Sequence, residues 1–331
     1  MTANRTLMNV QVDALMAQGQ GNLAVRLVPS DAQATLPAFE AGSHVDVHLP
    51  TGLVRQYSIA SAPHETAFYT LCVRHESASR GGSRYIHERL RVGDTLRIGT
   101  PRNLFALQPA PHSVLMAGGI GITPLLAMAH TLERHAQSFE LHYYARERRQ
   151  VAFARQWLKG FVHGTVQVHC SEEGQSIRTQ LPARLHAVDT TTHLYICGPH
   201  GFMQHITAQA TALGWPSAQL HQEAFAPPAS AQAAPTTSAQ TDAAFEVELA
   251  STGSIFVIPV GQSIAAVLQD QGVEVSLSCE MGICGACLTP VHAGKPDHRD
   301  TVQTEAEKCG TSQHVALCCS RSHSPRLVLG L

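Results

Sequence analysis

The sequence predicts a multidomain chain: an antiparallel β-barrel, an α/β unit on a parallel sheet, and a small cysteine-bearing unit at the C-terminal end. Three observations carry this. Short alternating runs broken by turn residues fill 1–108, strands alternate with helices over 109–225, and an Ala/Pro/Ser/Thr/Gln-rich stretch over 226–242 sets off 243–331. The 331 residues suffice for two or three domains, and 44% hydrophobic content supplies their cores. A formal charge of −2 with no basic block argues against a nucleic-acid partner. No stretch approaches the roughly 20 apolar residues of a membrane span.

In the first unit, Val45 to Leu49 alternates in period two and Pro50-Thr51-Gly52 turns the chain. Phe68 to Val73 and Thr95 to Ile98 read as further strands. Arg55-Gln56-Tyr57-Ser58 opens a strand with a cation, an aromatic plate and a hydroxyl close together. Ser79-Arg80-Gly81-Gly82-Ser83-Arg84 precedes a helical stretch over Tyr85 to Leu90, a composition suited to cradling phosphate.

In the second unit, Ser113 to Ala117 is a buried-type strand running into Gly118-Gly119-Ile120-Gly121-Ile122-Thr123-Pro124. A helix is predicted from Leu125 to about His135, with Thr123 as N-cap and Pro124 as first helical residue. The glycines let a ligand approach backbone at a helix start, although Pro124 stands where the G-x-G-x-x-G fingerprint has its last glycine. Strands over Phe139–Ala145, Val166–Cys170 and His193–Cys197 and a helix over Phe153–Phe161 continue the alternation. Cys197-Gly198-Pro199 makes a second glycine turn at a strand's carboxyl end, and Glu223-Ala224-Phe225 closes the unit.

The stretch over 226–242 has almost no bulky apolar residue and reads as a flexible tether. Beyond it, Cys279, Cys284 and Cys287 follow the C-x4-C-x2-C spacing of plant-type [2Fe–2S] sites, with Gly282 and Gly285 where the backbone must bend around a cluster. The fourth ligand is Cys318 or Cys319. An odd total of nine cysteines and no apolar leader at the start point to a reducing, cytoplasmic setting rather than disulfides. Only Cys284 and Cys287 make a C-x2-C hook, against the two hooks usual for structural zinc. The 20 histidines are scattered along the chain and read as polar surface or satisfied core residues.

These motifs, in this order over essentially the full length, resemble the phthalate dioxygenase reductase family. The resemblance implies an FMN-binding barrel (1–108), an NAD-binding domain of ferredoxin–NADP reductase type (109–225), a flexible linker (226–242) and a β-grasp [2Fe–2S] ferredoxin domain (243–331). It places Arg55, Gln56, Tyr57 and Ser58 on the flavin-binding strand, with Ser58 near the reactive nitrogen. Cys72 and Val73 join that cofactor set, and Arg80, Gly81, Gly82 and Ser83 resemble the FMN phosphate site. Gly119, Gly121, Thr123 and Pro124 resemble the turn that meets the nicotinamide nucleotide, and Cys197, Gly198 and Pro199 would face its ring. Phe225 resembles the aromatic that covers the flavin, so Ser58, Cys197 and Phe225 form the expected catalytic set. The family's last cluster ligand precedes a small residue and Ser-Arg, which selects Cys318 in Cys318-Cys319-Ser320-Arg321.

The implied activity is an oxidoreductase passing electrons from NADH through FMN and the cluster to a Rieske-type terminal oxygenase. A flavin stands between two-electron nicotinamide and a one-electron cluster. Arg146, Arg148 and Arg149 lie where a 2′-phosphate would be read, which keeps NADPH open beside the NADH that the family prefers. A heme or diiron monooxygenase is the alternative acceptor, and FAD the alternative flavin. The resemblance suggests a monomer. A passive electron carrier with degenerate flavin and nucleotide domains is a reading that the intact motifs oppose.

Overall fold

The computed structural model describes residues 7–77, 79–225, 243–277, 279–310 and 312–331; the predicted linker over 226–242 lies outside them. The chain divides into two compact units after Phe225.

The first unit begins with antiparallel strands β1 (Leu7–Ala17), β2 (Asn22–Pro29), β3 (Ser43–His48), β4 (Val54–Ser58) and β5 (Tyr69–Arg74). Helix α1 (Gly82–Glu88), β6 (Thr95–Gly99) and β7 (Arg102–Asn103) follow. The sheet order is β4-β3-β6-β1-β2-β5, with β7 on β3, and a bridge from Ile59 to Leu71 draws the two ends together into a curled barrel. Alternation explains the curl. Val10 and Val12 are buried, while Asn9, Gln11 and Asp13 face out or are only partly covered, so one face of each strand lines a common core with Leu27, Val45, Val47, Leu71 and Ile98. Helix α1 starts three residues earlier than predicted, because Gly81 (φ 96) already turns the chain into it.

Strand β8 (His112–Gly118) opens the parallel sheet, followed by α2 (Ile122–Arg134), β9 (Ser138–Ala145), α3 (Ala154–Trp157), β10 (Gly164–Cys170), β11 (Thr192–Cys197), α4 (His200–Ala212) and β12 (Leu220–Glu223). The order β10-β9-β8-β11-β12 reverses direction between β8 and β11, which opens a crevice at their carboxyl ends. Two helix expectations are corrected. Helix α2 begins at Ile122 after a 3₁₀ turn over Gly119–Gly121, so Thr123 is inside the first turn and its Oγ1 donates to Ile120 O at 3.1 Å instead of capping. Pro124 is tolerated there because first-turn N–H groups lack helical partners. The helix predicted over Phe153–Phe161 is one turn only. Phe153 is left-handed (φ 56), Gly160 reverses the chain (φ 65), and the Glu133 carboxylate accepts both Val162 and His163 N–H groups at 2.9 Å.

Barrel and parallel sheet share one core. Ala24, Ala41, Ala60, Cys72 and Phe105 pack with Leu115, Leu125, Tyr143 and Tyr195. Tyr195 meets Phe105 edge-on at 5.9 Å and its hydroxyl accepts Gln108 N–H at 2.7 Å. The β1–β2 turn is also tied across, with Gln20 N donating to Arg149 O at 2.7 Å and Asn22 Nδ2 to Gln150 O at 3.0 Å.

The second unit contains β13 (Phe245–Leu249), β14 (Ile255–Ile258), α5 (Ile264–Asp270), β15 (Leu288–Ala293), β16 (Pro296–Asp297), α6 (Glu305–Cys309), β17 (His314–Ala316), β18 (Arg321–Ser322) and β19 (Arg326–Leu329). Its mixed sheet runs β14-β13-β19-β15-β17, with β13 and β19 parallel. Helix α5, capped by Ser263 Oγ on Ala266 N, packs Ile264 and Leu268 against Val247, Leu317 and Leu327. This is the β-grasp arrangement.

Candidate functional site

Strand alternation divides the predicted flavin strand. Arg55 and Tyr57 project to one side of β4, Gln56 and Ser58 to the other. Tyr57 packs against the barrel core, and burial pushes its hydroxyl up to about 12 despite the nearby Arg55. Arg55 reaches the predicted phosphate loop, where its Nη2 donates to Arg80 O at 3.2 Å. Its stem lies so near Gly82 that a Cβ there would come 2.7 Å from Arg55 Cγ. The loop is organised by Ser79, the first residue of the run that precedes the helix. Its Oγ accepts Gly81 N–H at 3.1 Å and bonds Ser83 Oγ at 3.0 Å. Among the described residues, buried Gln56 Nε2 has no hydrogen-bond partner, a donor that a polar ring edge would satisfy. These features fit a flavin. Cys72 and Val73 bury their side chains, and Val73 O bonds His87 Nε2 at 2.9 Å, so any contact with a ligand is through backbone.

On the other side of β4, Ser58 Oγ donates to Glu223 Oε2 at 3.4 Å, and His44 Nδ1 lies 3.9 Å from Glu223 Oε1. Glu223 pairs in register with Cys197, the last residue of β11. The β3–β4 hairpin of the barrel, where His44 stands opposite Ser58, and the sequence-distant end of the parallel sheet thus meet at one carboxylate. Burial raises Glu223 to about 8, against a smaller lowering from the Ser58 hydrogen bond. Burial, and then the neighbouring Glu223, hold the Cys197 thiol well above its ordinary value. Phe225 follows two residues later and is exposed. Ser58 and Cys197 thus meet at Glu223, beside His44, while Phe225 lies two residues further along the chain. The signal for Glu223 and His44 in the sequence was thin: Glu223 stood within the Glu-x-Phe motif, and His44 in a strand without any motif.

The two glycine turns interlock. A Cβ on Gly198 would come 2.9 Å from Gly118 Cα, and a Cβ on Gly121 would collide with the Cys197 carbonyl. Gly121 is thus required by protein packing, while Gly119 is required by its left-handed backbone (φ 55). Pro199 leads directly into α4, and Thr123 and Pro124 are buried beneath the turn.

The cysteine loop of the second unit curls through left-handed positions at Glu280 (φ 56), Gly282 (φ 72) and Gly285 (φ 67). Cys279, Cys284 and Cys287 are buried, and Cys318 is half-buried. Cys284 is the largest influence on the ionisation of Cys279 and Cys318 on that of Cys287, while Cys318 is itself influenced by both Cys287 and Cys319. Backbone N–H groups converge on them, Met281 N on Cys279 Sγ at 3.3 Å and Ala286 N on Cys284 Sγ at 3.4 Å. The Cys284 thiol, and then such N–H groups, pull Cys279 below the ordinary thiol value. Buried thiols on a left-handed loop with N–H donors aimed at them fit an iron–sulfur cluster. Among the described residues, no three His, Cys, Asp or Glu side chains converge as ligands of one metal ion. Cys319 Sγ turns toward Ala316 O and Ser320 Oγ, at 4.0 and 3.9 Å, and fills the space beside Gly282.

A family model described as a 2Fe-2S iron-sulfur cluster binding domain matches residues 247–322. Over 327 residues the chain is 44% identical to vanillate O-demethylase oxidoreductase of Pseudomonas sp. (strain HR199 / DSM 7063), covering 98% of this chain and 100% of that one. It is 38% identical to the heme-dependent oxidative N-demethylase beta subunit of Ectopseudomonas mendocina (strain ymp), covering 98% and 99%. The solved structure of phthalate dioxygenase reductase superposes with a TM-score of 0.70 at 33% identity, covering 98% of both chains. With its barrel, parallel sheet and cluster unit in the same order, the chain belongs to the phthalate dioxygenase reductase family, iron–sulfur flavoprotein oxidoreductases that carry electrons from NADH through FMN and a [2Fe–2S] cluster to an oxygenase component.

Proposed function

We propose that the chain is the reductase component of a Rieske-type aromatic oxygenase or demethylase. The observation that carries this is that one unit holds a Ser58–Glu223–Cys197 cluster and the other a buried cysteine loop with N–H groups aimed at its thiols. When bound, the flavin supplies conversion between hydride and single-electron transfer, and the cluster supplies one-electron relay. The chain's own residues bind and position. Arg55 and the loop Arg80, Gly81, Gly82 and Ser83 hold the FMN phosphate, and Tyr57, Gln56 and Ser58 line its ring, with backbone at Cys72 and Val73. Gly119, Gly121, Thr123 and Pro124 form the turn for the nicotinamide nucleotide, and Cys197, Gly198 and Pro199 border its ring. Phe225 covers the flavin. Because Glu223 sits near 8, the carboxyl and the Ser58 hydroxyl keep a proton at this site without a buried charge at neutral pH. Cys279, Cys284, Cys287 and Cys318 ligate the cluster. The functional division is 1–108, 109–225 and 243–331, with 226–242 as the linker, and the working form is a cytoplasmic monomer.

A second acceptor class is favoured by one observation, the heme-dependent relative covered nearly end to end. The test is anaerobic titration of the purified protein with NADH, followed by mixing with a Rieske oxygenase or a heme monooxygenase. Bleaching of flavin and cluster bands, release of FMN on denaturation, and reoxidation by the Rieske component alone are expected. Reoxidation by the heme protein alone would select the second reading, and no bleaching would refute both.

A further inference from the structure

Barrel and parallel sheet are tied at two places that flank the nucleotide crevice. On one side, Ser58 at the end of β4 reaches Glu223 at the end of β12. On the other, the β1–β2 turn grips the loop that follows β9. Gln18 Oε1 accepts Phe153 N–H at 3.2 Å, Asn22 Nδ2 donates to Gln150 O at 3.0 Å, and Gln20 N donates to Arg149 O at 2.7 Å. Gly19 lies so near this loop that a Cβ there would come 2.8 Å from Val151 O. Asn22 is buried and pairs in register with Arg74 at the end of β5. A Cβ on Gly119 would come 3.4 Å from Arg74 Nη1, so the same corner of the barrel stands against the glycine turn after β8.

Sheet order gives these ties a consequence. In β10-β9-β8-β11-β12 the crevice lies between β8 and β11, with the Ser58 contact beyond it on β12 and the grip of the β1–β2 turn beyond it on β9. Held on both sides, the barrel does not rock about the shared core, and the gap between the flavin strand and the glycine turns keeps one width. Hydride transfer needs its reacting atoms within about 3–3.5 Å, so a small tilt slows it without removing any group that touches the nucleotide. The gripped loop is also strained. Phe153 is buried with left-handed backbone (φ 56), which is costly for a bulky side chain, and Gln18 supplies the partner of its N–H in that conformation.

We propose that Gln18 and Asn22 are positioning residues that set the gap between the flavin strand and the nucleotide crevice for hydride transfer. This rests on the reductase reading above. The experiment uses the full-length holoprotein at equal flavin content and follows anaerobic flavin reduction by NADH in stopped flow, which separates the limiting rate from the Kd for NADH. The proteins are wild type, Gln18→Ala, Asn22→Ala, the double variant, and Gln18→Glu, which keeps the accepting oxygen. Glu133→Gln is the control, because it loosens the turn at Val162 and His163 instead. For the double variant the limiting rate is expected to fall about tenfold or more while Kd changes less than about twofold. Amide hydrogen exchange over 149–153 is expected to quicken in the same protein. Gln18→Glu should stay within about threefold of wild type, and Glu133→Gln should keep the wild-type rate. The two single variants carry the same comparison if the double one loses flavin. A wild-type limiting rate in the alanine variants, equal losses in Gln18→Glu and Gln18→Ala, or unchanged amide exchange would overturn the inference. So would an equal loss in Glu133→Gln, since general loosening would then account for the effect. A wild-type flavin that NADH does not reduce would instead overturn the reductase reading beneath it.

Discussion

Replacing Glu223 by Gln tests the buried carboxyl at the junction of barrel and sheet. Its side chain is only 14% exposed, so most of the burial effect on its ionisation bears on folding. The carboxyl rises from an ordinary 4.5 to about 8. Below about pH 4.5 folded and unfolded chains both hold the proton, and the stabilisation is fully present. Between there and about pH 8 only the folded chain holds it, so stability falls as pH rises. At about 1.4 kcal/mol per pH unit, that gap sets a ceiling of roughly 5 kcal/mol. His44, 3.9 Å away, offsets part of this when charged, and Cys197, kept neutral by burial, adds no competing charge over the range. A loss of about 2–4 kcal/mol between pH 5 and 9 is therefore expected for wild type and absent from Glu223→Gln, whose amide carries no charge. Urea unfolding followed by tryptophan fluorescence reports the right unit, because Trp157 and Trp215, the only two tryptophans, both precede Phe225. At equal flavin content, the variant should gain on wild type from pH 5 to about 8 and level off above that. A stability difference that stays flat across that range would refute a carboxyl held protonated by burial.

Cys318→Ser should lose the iron–sulfur absorption and most of the iron, while Cys319→Ser keeps both, because Cys318 is the largest influence on Cys287 whereas Cys319 Sγ turns toward Ala316 O and Ser320 Oγ. Iron analysis and visible spectra of the two variants decide it, and the opposite pattern would move the ligand to Cys319. Gly121→Ala should destabilise the first unit by about 1–3 kcal/mol, since the new methyl meets the Cys197 carbonyl. Its thermal midpoint is the check, and a wild-type value would mean that the two turns separate easily.

The cluster loop was legible because its chemistry is local. Three thiols on one tight loop need a fixed spacing and two glycines, and both Gly282 and Gly285 are left-handed as the spacing requires. The choice between Cys318 and Cys319 was not local, since it depends on which thiol the strand end turns toward Cys287. Four of the five parallel strands, β8 to β11, were legible within one or two residues, because buried strands read as apolar runs, whereas the short β12 was not read as a strand. Helix α3 was overestimated because its apolar residues recur at helical spacing, whereas the chain is turned aside by Gly160 and by Glu133 from another element. His44 and Glu223 escaped for the same reason. Nothing near His44 in sequence shows that a carboxylate from the far end of the parallel sheet will come beside it.

The interlocked turns explain how this sheet manages without a G-x-G-x-x-G sequence. In that fingerprint one glycine makes the turn, one admits the ligand, and one brings helix and strand close. Here Gly119 supplies the left-handed turn. Close packing is met by Gly121 against the carbonyl of Cys197 in the neighbouring strand, and by Gly198 against Gly118. A Cβ on Gly118 would itself approach Phe202 and Pro199 at 2.9 Å, so α4 closes the same contact from the far side. With these duties shared between two strand ends, a glycine three residues after Gly121 has no task, and Pro124 can start the helix's first turn instead. The crevice between β8 and β11 thus takes its shape from backbone meeting backbone. A side chain added at Gly118, Gly121 or Gly198 would part the two strand ends on either side of the nucleotide turn.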